Sequence, residues 1–459
     1  MTRLTLAALL FGVAFLAGSR GLAAETWKAG VAKANITPEG SMWMAGYAAR
    51  TRPAEGKATD LWAKALALED AAGQRAVLVS LDLVGIDRAL SSAIRDEVQK
   101  KHGLSRGQIA INCSHTHSGP VVARNLRPMH FYALDKEQQE QVKAYADKLQ
   151  AAVVRIVDQA IAGLAPAQLA WGSGRTDIAV NRRNNKADEV PALRSSGALA
   201  GPQDHDVPVL AVKSAQGKLL AVAFGYACHA TVLDGYVWSG DYPGYAQIEL
   251  EQAHADCVAL FWAGCGADQN PLPRRQQLLA EKYGQQLAAA VNGVLAGQLT
   301  AIEPKLQTSY AEIELPFAKL PTEDELKELT QHSNKYEVMR AKMLLEDLAA
   351  GQPLEASYPY PVQVWRLGDD IQWLFLGGEV VVDYALRLKG ELSGTKTWVA
   401  GYTNDVMAYI PSRRVLLEGG YEGGGAMVYY GLPSPWSADV ETKIVAEVQR
   451  QAQSAAAGK

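Results

Sequence analysis

The chain has no basic run, and its charged residues of both signs are mixed along 459 residues. A formal net charge of -4 and a sequence pI near 6.1 argue against a nucleic-acid-binding protein. The sequence also lacks internal repeats and low-complexity linkers, so nothing in it marks a domain boundary. Because 48% of the residues are hydrophobic, the chain can bury a large core. We therefore expect one large mature domain.

The apolar stretch Leu4–Ala17 is shorter than the ~20 residues that a comfortable membrane-spanning helix needs. Arg3 precedes it, and the small residues Gly21, Ala23 and Ala24 follow it, which is typical of a secretory signal peptide. No cysteine stands near the cleavage site, which argues against a lipid anchor. We expect residues 1–24 to be removed and residues 25–459 to be periplasmic or secreted.

Cysteine is scarce, with four residues at Cys113, Cys228, Cys257 and Cys265. If Cys257–Cys265 forms a strand, its ends lie roughly 26 Å apart. A disulfide needs Cα atoms within about 7 Å, so these two should not pair. Cys113 and Cys228 could pair across neighbouring strands or be small buried residues, and we favour the second.

Strand and helix patterns alternate along the chain. Strands are predicted at Trp27–Ile36, Lys64–Glu69, Ala76–Leu83, Gln108–Asn112, Val207–Lys213, Leu219–Ala227, Val258–Trp262, Ile371–Leu376 and Thr397–Tyr402. Helices are predicted from Asp87 to Gly103, Lys136 to Gly163, Arg274 to Leu295 and Thr322 to Leu348, and from Val380 and Ala438 onward. A further helix is predicted after Asp241, with Asp241 as its N-cap. The stretch from Thr322 is polar and reads as an exposed insertion. The expected fold is mixed α/β, with large mixed β-sheets flanked by helices.

The motif Ser114–Pro120 contains two histidines, His115 and His117, directly after a predicted strand. Residues two apart in an extended segment point the same way, so both imidazoles can address one small volume. Imidazole is the commonest metal ligand and suits proton transfer near neutral pH. Taken alone, the pair could equally be turn histidines without chemistry.

Further polar segments follow the carboxyl ends of predicted strands: His229, Gly264–Pro271, Glu379 and Asn404–Tyr409. Ligands of open α/β folds bind in the crevice outside such strand ends. Singly, His229 could be a satisfied core histidine, and Glu379 a carboxylate in the first turn of a helix. Together, two neutral nitrogens and a carboxylate suit zinc and leave a position for water. We therefore expect a metal site at the carboxyl ends of the strands.

The sequence resembles the neutral/alkaline non-lysosomal ceramidases, zinc amidases that cleave N-acylsphingosines. The similarity covers nearly all of the mature chain. Its specific elements are the His-Thr-His-Ser-Gly-Pro motif and the spacing from Asn404 to Tyr409 to Tyr421. Further matches are Ala29–Pro38, Met44–Tyr47, Asn181-Arg182, the strand ending in His229, Ser239–Asp241 with Gly244-Tyr245, Gly378-Glu379, Gly401–Asn404 and Tyr421–Gly423.

The resemblance implies a zinc ion held by four side chains, those of His115, His229, Glu379 and Tyr409. It implies that His117 transfers protons beside the metal. Arg182 and Tyr421 would contact the scissile amide or its developing oxyanion, where their charge and hydrogen bonds stabilise it.

The chain departs from the family in two ways. Family members place a serine in a Gly-Asp-Val-Ser-Pro-Asn loop, whereas the corresponding Gly266–Pro271 contains neither serine nor threonine. A carboxamide cannot replace that nucleophile, so either water on zinc attacks or the reaction or substrate has changed. Gln269 or Asn270 could donate a hydrogen bond to substrate and Asp268 could orient a neighbour, unless the loop is only a structural turn. The sequence also ends soon after Tyr421, so we expect no immunoglobulin-like C-terminal domain.

These observations predict a secreted zinc-dependent amidohydrolase that cleaves ceramide or a related N-acyl lipid by metal-activated water. One alternative is a zinc hydrolase of another amide or ester. Another is a catalytically silent zinc protein that binds a lipid or glycan. The expected partner is a small-molecule or lipid substrate, with peripheral membrane contact compatible with it, no nucleic acid and no obligate protein partner.

Overall fold

A computed structural model describes residues 26–456, and the predicted signal peptide at residues 1–24 lies outside this range. The described chain is mixed α/β, as the sequence predicts. None of the helices between residues 26 and 456 is long and apolar enough to cross a membrane.

The strands form one large sheet, one four-stranded sheet and three short pairs. In chain order they are β1 (Trp27–Asn35), β2 (Gly56–Lys57), β3 (Trp62–Glu69), β4 (Arg75–Leu81), β5 (Ile109–Cys113), β6 (Ala165–Arg175), β7 (Ala179–Asn181), β8 (Asp206–Ser214), β9 (Leu219–Tyr226), β10 (Val237–Trp238), β11 (Val258–Ala263), β12 (Gln269–Pro271), β13 (Thr300–Ala301), β14 (Leu306–Pro316), β15 (Ser357–Leu367), β16 (Ile371–Leu376), β17 (Glu379–Val380), β18 (Lys396–Ala400) and β19 (Tyr409–Ile410).

The helices cover the outer faces of these sheets and the connections between them. They are α1 (Arg88–His102), α2 (Lys136–Ala162), α3 (Val190–Ser196), α4 (Asp241–Ala253), α5 (Gln277–Ala296), α6 (Glu323–Leu329), α7 (Lys335–Ala349), α8 (Val382–Glu391), α9 (Arg413–Glu418), α10 (Met427–Tyr430) and α11 (Val440–Ala456). Helix α1 begins and ends where the sequence predicts. The Asp87 carboxylate accepts the Leu90 N–H, and Gly103 adopts φ 71° after the last turn.

The large sheet has the strand order β11-β9-β8-β6-β1-β3-β4-β5, with β13 beside β6. Its neighbours are antiparallel except for the parallel pairs β4/β5 and β9/β11. Side chains of β3, β4 and β5 bond the main chain of β11: Lys64 to Ala259 (2.8 Å), Ser80 to Phe261 (2.5 Å) and Asn112 to Ala263 (2.9 Å). These bonds satisfy main-chain groups of an edge strand that would otherwise be open to pairing with another chain.

The second sheet has the order β14-β15-β16-β18 and packs on the large sheet through buried aromatic side chains. We call Trp262, Trp365, Trp373 and Trp398 the tryptophan layer. The ring of Trp373 lies 5.4 Å from that of Trp262, 6.2 Å from Trp365 and 5.2 Å from Trp398, centroid to centroid. Each is at most 2% exposed. The layer therefore joins β11 of one sheet to the three neighbouring strands of the other.

The carboxyl ends of several strands meet beyond the tryptophan layer. Asn112 of β5 forms an isolated bridge with Thr403, and Gly264 after β11 forms one with Ala400 of β18. The Asn404 side chain accepts the main-chain N–H of Ile111 (3.0 Å). The loops after β5, β11 and β18 are thus held together at one end of the two sheets.

The cysteine prediction is confirmed, since Cys113, Cys228, Cys257 and Cys265 are all free and buried. Two helix starts were predicted incorrectly. Gly240 rather than Asp241 caps α4, and α5 begins at Gln277 because Arg275 adopts φ 84°, outside the helical region.

The predicted exposed helical insertion differs from the structure in two ways. It is split into α6 and α7, and four of its side chains are buried in a small cluster: Leu326, Ala341, Met343 and Leu344. Helix α8 begins at Val382, later than predicted, because Glu379-Val380 forms the short strand β17.

Candidate metal centre

His115 lies just after β5 and is buried, on a backbone with φ 60°. Its N–H donates to the carbonyl of Leu83 (2.9 Å), and its ring Nδ1 donates to the carbonyl of Val84 (2.5 Å). Both bonds link the residue to the segment that follows β4. Because Nδ1 carries the proton, the lone pair of Nε2 faces the interior of the centre.

His229 follows β9 and is held in the same manner. Its main-chain N–H donates to the carbonyl of Gln269 (3.1 Å), and its Nδ1 donates to the carbonyl of Gly266 (2.8 Å). Burial, followed by the charge of Arg182, lowers the pKa of His229 to about 4. The ring is therefore neutral at neutral pH, and its Nε2 presents a lone pair.

Glu379 brings a carboxylate between these two rings. Its Oε2 lies 3.1 Å from Nε2 of His115 and 3.1 Å from Nε2 of His229. Its Oε1 accepts a hydrogen bond from the Tyr430 hydroxyl.

Tyr409 reaches the same point because β19 pairs in parallel with β17, placing Tyr409 directly opposite Glu379. Its hydroxyl lies 3.3 Å from Nε2 of His229. The indole of Trp436 donates to the Tyr409 carbonyl (2.8 Å), which fixes the main chain there. The structure thus brings together all four side chains that the resemblance nominates as zinc ligands.

His117 also faces this cluster, with its Nε2 3.1 Å from Nε2 of His115. The candidate ligand atoms of His115, His117 and His229 lie within 4.8 Å of one another. Nδ1 of His117 is buried without a hydrogen-bond partner among residues 26–456. Burial, followed by the neighbouring His115, lowers the pKa of His117 well below its ordinary value. His117 is therefore close enough to be a ligand or a proton-transfer group.

The ring of His117 rests directly on the main chain of Gly46. Gly46 adopts φ 96°, and a Cβ there would lie 2.4 Å from Cγ of His117. The N–H of Gly46 donates to Nε2 of His130 (3.0 Å), and the ring of Tyr47 packs edge-on against His117 at 4.8 Å. Only glycine leaves room for the imidazole at this backbone conformation.

Arg182 contacts the centre through the hydroxyl of Tyr409. Its Nη2 donates to the Tyr409 hydroxyl (3.1 Å), its Nη1 to Oδ1 of Asn270 (3.3 Å), and its Nε to Oε1 of Glu422 (2.7 Å). Its Cζ lies 5.7 Å from the ring centroid of Tyr421, which is 46% exposed. Arg182 and Tyr421 therefore flank Tyr409, and Tyr421 is accessible to a substrate.

Gln269 begins β12 after the Gly264–Asp268 loop, and its side chain bonds the main chain of another loop. Its Nε2 donates to the carbonyl of Pro202 (3.2 Å), while its Oε1 is buried without a partner among the described residues. Its main chain positions His229, as described above. A catalytic role for the Gln269 side chain stays a prediction.

Three carboxylates support the centre. The sequence suggested only that Asp268 could orient a neighbour, and it suggested no role at the centre for Asp241 and Glu422. Asp268 accepts the Val382 N–H (2.9 Å) and the Asn181 side chain (3.0 Å). Asp241, at φ 54°, accepts main-chain N–H groups of the loop that follows His229: those of Val232 (3.2 Å) and Leu233 (2.8 Å). Glu422 pairs with Arg182. The Gly-Asp dipeptide at Gly240-Asp241 is the sequence signal that could have suggested such a supporting role.

The donor set fits a divalent cation. Nε2 of His115, Nε2 of His229 and Oε2 of Glu379 are all acceptors, and they converge at 3.1 Å in a buried site. Lone pairs and a carboxylate repel one another unless a positive charge lies between them. Two neutral imidazoles, a carboxylate and a phenol are ligands that zinc accepts.

An open groove of about 1100 Å³ leads to this centre. Its wall includes His117, Arg182, Tyr409 and Tyr421 together with Gly46, Tyr47, residues 183–189, Thr231, Asn270, Leu272, Arg274, Arg275, Glu418, Gly419, Gly420 and Glu422. A substrate in the groove can therefore reach the proposed proton-transfer residue and the two oxyanion-binding candidates together.

Comparison with known families gives a match over residues 27–279 to the family described as "Neutral/alkaline non-lysosomal ceramidase, N-terminal". This is more than half of the 459 residues, and the chain therefore belongs to that family. The matched range contains His115, His117, Arg182 and His229, whereas Glu379, Tyr409 and Tyr421 lie beyond it.

Among curated relatives, the neutral ceramidase of Pseudomonas aeruginosa is 28% identical over 267 residues, covering 55% of this chain and 38% of the relative. The neutral ceramidase of Drosophila pseudoobscura is 33% identical over 108 residues, covering 23% and 15%. The aligned part thus spans well under half of each relative's length.

Among solved structures, the crystal structure of neutral ceramidase from P. aeruginosa superposes with a TM-score of 0.70 at 20% identity, covering 92% of this chain and 73% of that chain. A structure described as ceramidase complexed with C2 gives a TM-score of 0.71 at 20% identity, covering 92% and 74%. These matches establish the fold.

Proposed function

We propose that this member of the ceramidase family is a secreted, zinc-dependent amidohydrolase that cleaves the N-acyl amide bond of ceramide or a related N-acyl lipid. The observation that carries the proposal is the position of Glu379, whose Oε2 lies 3.1 Å from the lone-pair nitrogens of both His115 and His229. Family membership supports hydrolysis of an amide, and the buried histidine cluster supports a metal.

His115, His229, Glu379 and Tyr409 would hold the metal in this proposal. Bound zinc would polarise the substrate carbonyl and lower the pKa of water toward ~7. Nδ1 of His115 and Nδ1 of His229 each donate a hydrogen bond to a main-chain carbonyl. These bonds fix each ring and make its Nε2 a more basic metal ligand.

His117 would act at Nε2, which faces the cluster 3.1 Å from Nε2 of His115, on a side chain that also lines the groove. Its low pKa keeps the ring neutral, so Nε2 can take a proton from the attacking water and return it to the leaving amine. Gly46 and Tyr47 hold the ring in place for both transfers.

Arg182 and Tyr421 would stabilise the oxyanion. Arg182 is fixed by Glu422, Asn270 and Tyr409, so its charge is already oriented before substrate binds. Tyr421 is half-exposed and free to donate its hydroxyl proton into the groove. Gln269 supplies no nucleophile, and we propose that water takes that role.

The protein would be exported and would act as a single catalytic domain. The pattern of residues 1–24 supports export to the periplasm or beyond, and residues 25–459 would act as one catalytic domain. The exposed, groove-facing Tyr421 is compatible with peripheral contact with a lipid surface.

The proposal is tested with the zinc-loaded mature protein and a short-chain fluorescent ceramide, with release of fatty acid as the measurement. We expect turnover in the wild type, loss on chelation with recovery on zinc addition, and a fall in kcat of about 10²- to 10⁴-fold in His117→Ala. His332→Ala, which removes an exposed histidine of the helical insertion, is the matched control.

Turnover that survives complete chelation would contradict zinc dependence. Full zinc occupancy without cleavage of ceramide would redirect the proposal to another amide or ester. If a panel of acyl amides and esters also failed, the chain would be a zinc protein that binds a lipid or glycan, the role that the loss of the family serine favours.

A further inference from the structure

The groove beside the metal centre is lined by five cationic side chains, and four of them are neutralised by carboxylates of the chain. The pairs are Arg182 with Glu422 (2.7 Å), Arg183 with Glu422 (2.6 Å) and Glu418 (3.0 Å), Lys186 with Glu189 (3.2 Å), and Arg275 with Asp234 (3.3 Å). Arg274 is the fifth. Across residues 26–456, no carboxylate lies within ion-pair distance of its guanidinium, and the structure shows no hydrogen bond from it.

Arg274 is nevertheless only partly exposed, and the charges that act on it are those of Arg275 and Arg182 and, more weakly, the opposite charge of Asp234. Burial, followed by the charge of Arg275 and then that of Arg182, lowers the pKa of Arg274 below its ordinary value. Partial burial of a guanidinium whose five N–H donors are unused, beside other cations, costs free energy unless an anion binds to it. The groove therefore offers one unfilled place for negative charge.

Two contacts of Arg275, the neighbour of Arg274, hold this segment of the chain near the reaction centre. The N–H of Arg275 donates to the carbonyl of Val232 (2.7 Å), and Val232 stands three residues after His229. Three residues span at most about 11 Å. The guanidinium of Arg275 also lies 4.8 Å from the ring of Tyr47, and the centroid of that ring lies 4.8 Å from the centroid of the His117 ring. Arg274 itself lines the same groove as His117, the proposed proton-transfer residue.

We propose that Arg274 is the anion-binding subsite of the enzyme, and that the substrate is an N-acyl amide whose amine part carries a carboxylate or a phosphate. This rests on the proposed amidase function. An acyl chain is apolar, so the polar group of such a substrate belongs to the amine part. A planar guanidinium with free donors can bind either oxyanion through two parallel hydrogen bonds.

The assignment distinguishes this chain from one built only for a neutral ceramide headgroup. A neutral hydroxyl would leave the guanidinium charge uncompensated, whereas a carboxylate or phosphate would neutralise it. Electrostatic attraction by the groove would also raise the rate at which anionic substrates associate. Arg274 is thus a specificity-determining residue, and the carboxylate and phosphate classes are separated by the test.

The test uses two matched pairs of substrates with the zinc-loaded protein. One pair is N-dodecanoylglycine and N-dodecanoylglycinamide, and the other is N-dodecanoyl-O-phosphoethanolamine and N-dodecanoylethanolamine. We expect kcat/KM of the anionic member to exceed that of the neutral member by about 10- to 100-fold in at least one pair. The pair with the larger ratio identifies the anion.

Arg274→Gln should reduce that ratio by about 10-fold or more, and Arg274→Lys should retain part of it, since lysine keeps the charge but loses the planar fork. The matched control is Arg155→Gln, which removes an exposed arginine of α2 outside the groove and should leave the ratio unchanged. Unchanged Tm in all variants excludes unfolding as the cause.

Binding of N-dodecanoylglycine and N-dodecanoyl-O-phosphoethanolamine is measured in parallel by calorimetry, which needs no turnover. Ratios near one in the wild type, or a high ratio that Arg274→Gln leaves intact, would overturn the subsite while leaving the amidase in place. Absence of any cleavage would instead contradict the proposed function. In that case the calorimetry decides, because equal binding by wild type and Arg274→Gln overturns the subsite and weaker binding by the variant supports it.

Discussion

Two buried regions adjoin each other between the sheets, the tryptophan layer and the histidine centre, and their backbones differ. The tryptophans stand on the regular strands β11, β15, β16 and β18, with ring centroids 5.2 to 6.4 Å apart where they touch. The centre begins where those strands end. Its backbone includes non-glycine residues with positive φ: His115 at 60°, Tyr402 at 50°, Asn404 at 66° and Asp241 at 54°.

The difference follows from what each region must do. Aromatic packing needs only the alternate side chains of a pleated strand, which stand on one face at regular spacing. A metal centre needs several donor atoms within a few ångströms of one point, which no regular sheet face provides. The chain therefore bends at the strand ends, and each left-handed non-glycine residue costs about 1–2 kcal/mol. The apolar layer beneath supplies stability that offsets this strain.

Trp373→Ala tests the structural side of this comparison and has the largest expected effect. Trp373 is fully buried and contacts the rings of Trp262, Trp365, Phe375 and Trp398. Truncation should lower the free energy of unfolding by about 3–5 kcal/mol because it leaves a cavity between the sheets. Urea unfolding is the measurement.

Trp373→Phe is the matched control. The indole N–H of Trp373 is buried without a partner among residues 26–456, so phenylalanine loses area but no hydrogen bond. Trp373→Phe should lower the free energy of unfolding by less than half as much as Trp373→Ala. Equal costs for the two variants would contradict the cavity explanation, and a loss of zinc affinity in folded Trp373→Phe would mean that the two regions are not separable.

Glu379→Gln tests the functional side of the comparison. The substitution removes the carboxylate between His115 and His229 and should weaken zinc binding by at least about 100-fold, or ~2.7 kcal/mol. The metal-free protein should keep its free energy of unfolding or gain slightly, because the new amide can donate to the lone-pair nitrogens. Zinc competition titration and urea unfolding measure the two effects.

The control for this variant is Glu69→Gln, a buried glutamate of β3 paired with Lys28 and Arg75. It should leave zinc affinity unchanged. Wild-type zinc affinity in Glu379→Gln would remove Glu379 from the ligand set and would assign the third protein ligand to His117.

Gly46→Ala has the smallest expected effect and separates backbone strain from contact with the centre. The new Cβ would press on Cγ of His117, so the ring must move. We expect kcat to fall about 10-fold or more with zinc content retained, because small displacements of a catalytic group are costly. The free energy of unfolding should fall by about 1–2 kcal/mol, because alanine is strained at this backbone conformation.

Gly73→Ala is the matched control, since Gly73 has a similar φ of 82° in the β3–β4 turn and open space around it. It should show a similar loss of stability with unchanged kcat. If Gly46→Ala loses zinc together with activity, His117 is a metal ligand rather than a proton-transfer residue.

Much of the fold could be predicted from local sequence pattern. The strands Ile371–Leu376 and Val258–Ala263 and the helix α1 begin and end within a residue of their predicted bounds. Hydrophobic alternation and capping residues determine these elements locally. The predicted N-cap of α4 was wrong, because the Asp241 carboxylate accepts the main-chain N–H groups of Val232 and Leu233 in the preceding loop, and Gly240 precedes the helix instead.

The site could be predicted only as a set of candidates. The resemblance nominated His115, His229, Glu379 and Tyr409, and the placement of polar residues after strands suggested that they meet. The sequence could not show that Asp268, Glu422 and Gly46 support them, because each acts through a contact with a residue far along the chain. Nor could the sequence show that Arg274 has no ion-pair partner in the described part of the chain, since pairing depends on which carboxylates the fold brings near.

The sequence by itself determined the mixed α/β class, the main strands and helices, the family, and the residue types available for metal binding and proton transfer. Hydrophobic periodicity, capping and short motifs are properties of neighbouring residues, and so they can be read along the chain. Only the tertiary structure decided that two histidine nitrogens and one carboxylate oxygen converge at 3.1 Å. It also decided that one arginine of the groove has no ion-pair partner among residues 26–456, because the distances between residues far apart in the sequence depend on how the two sheets pack.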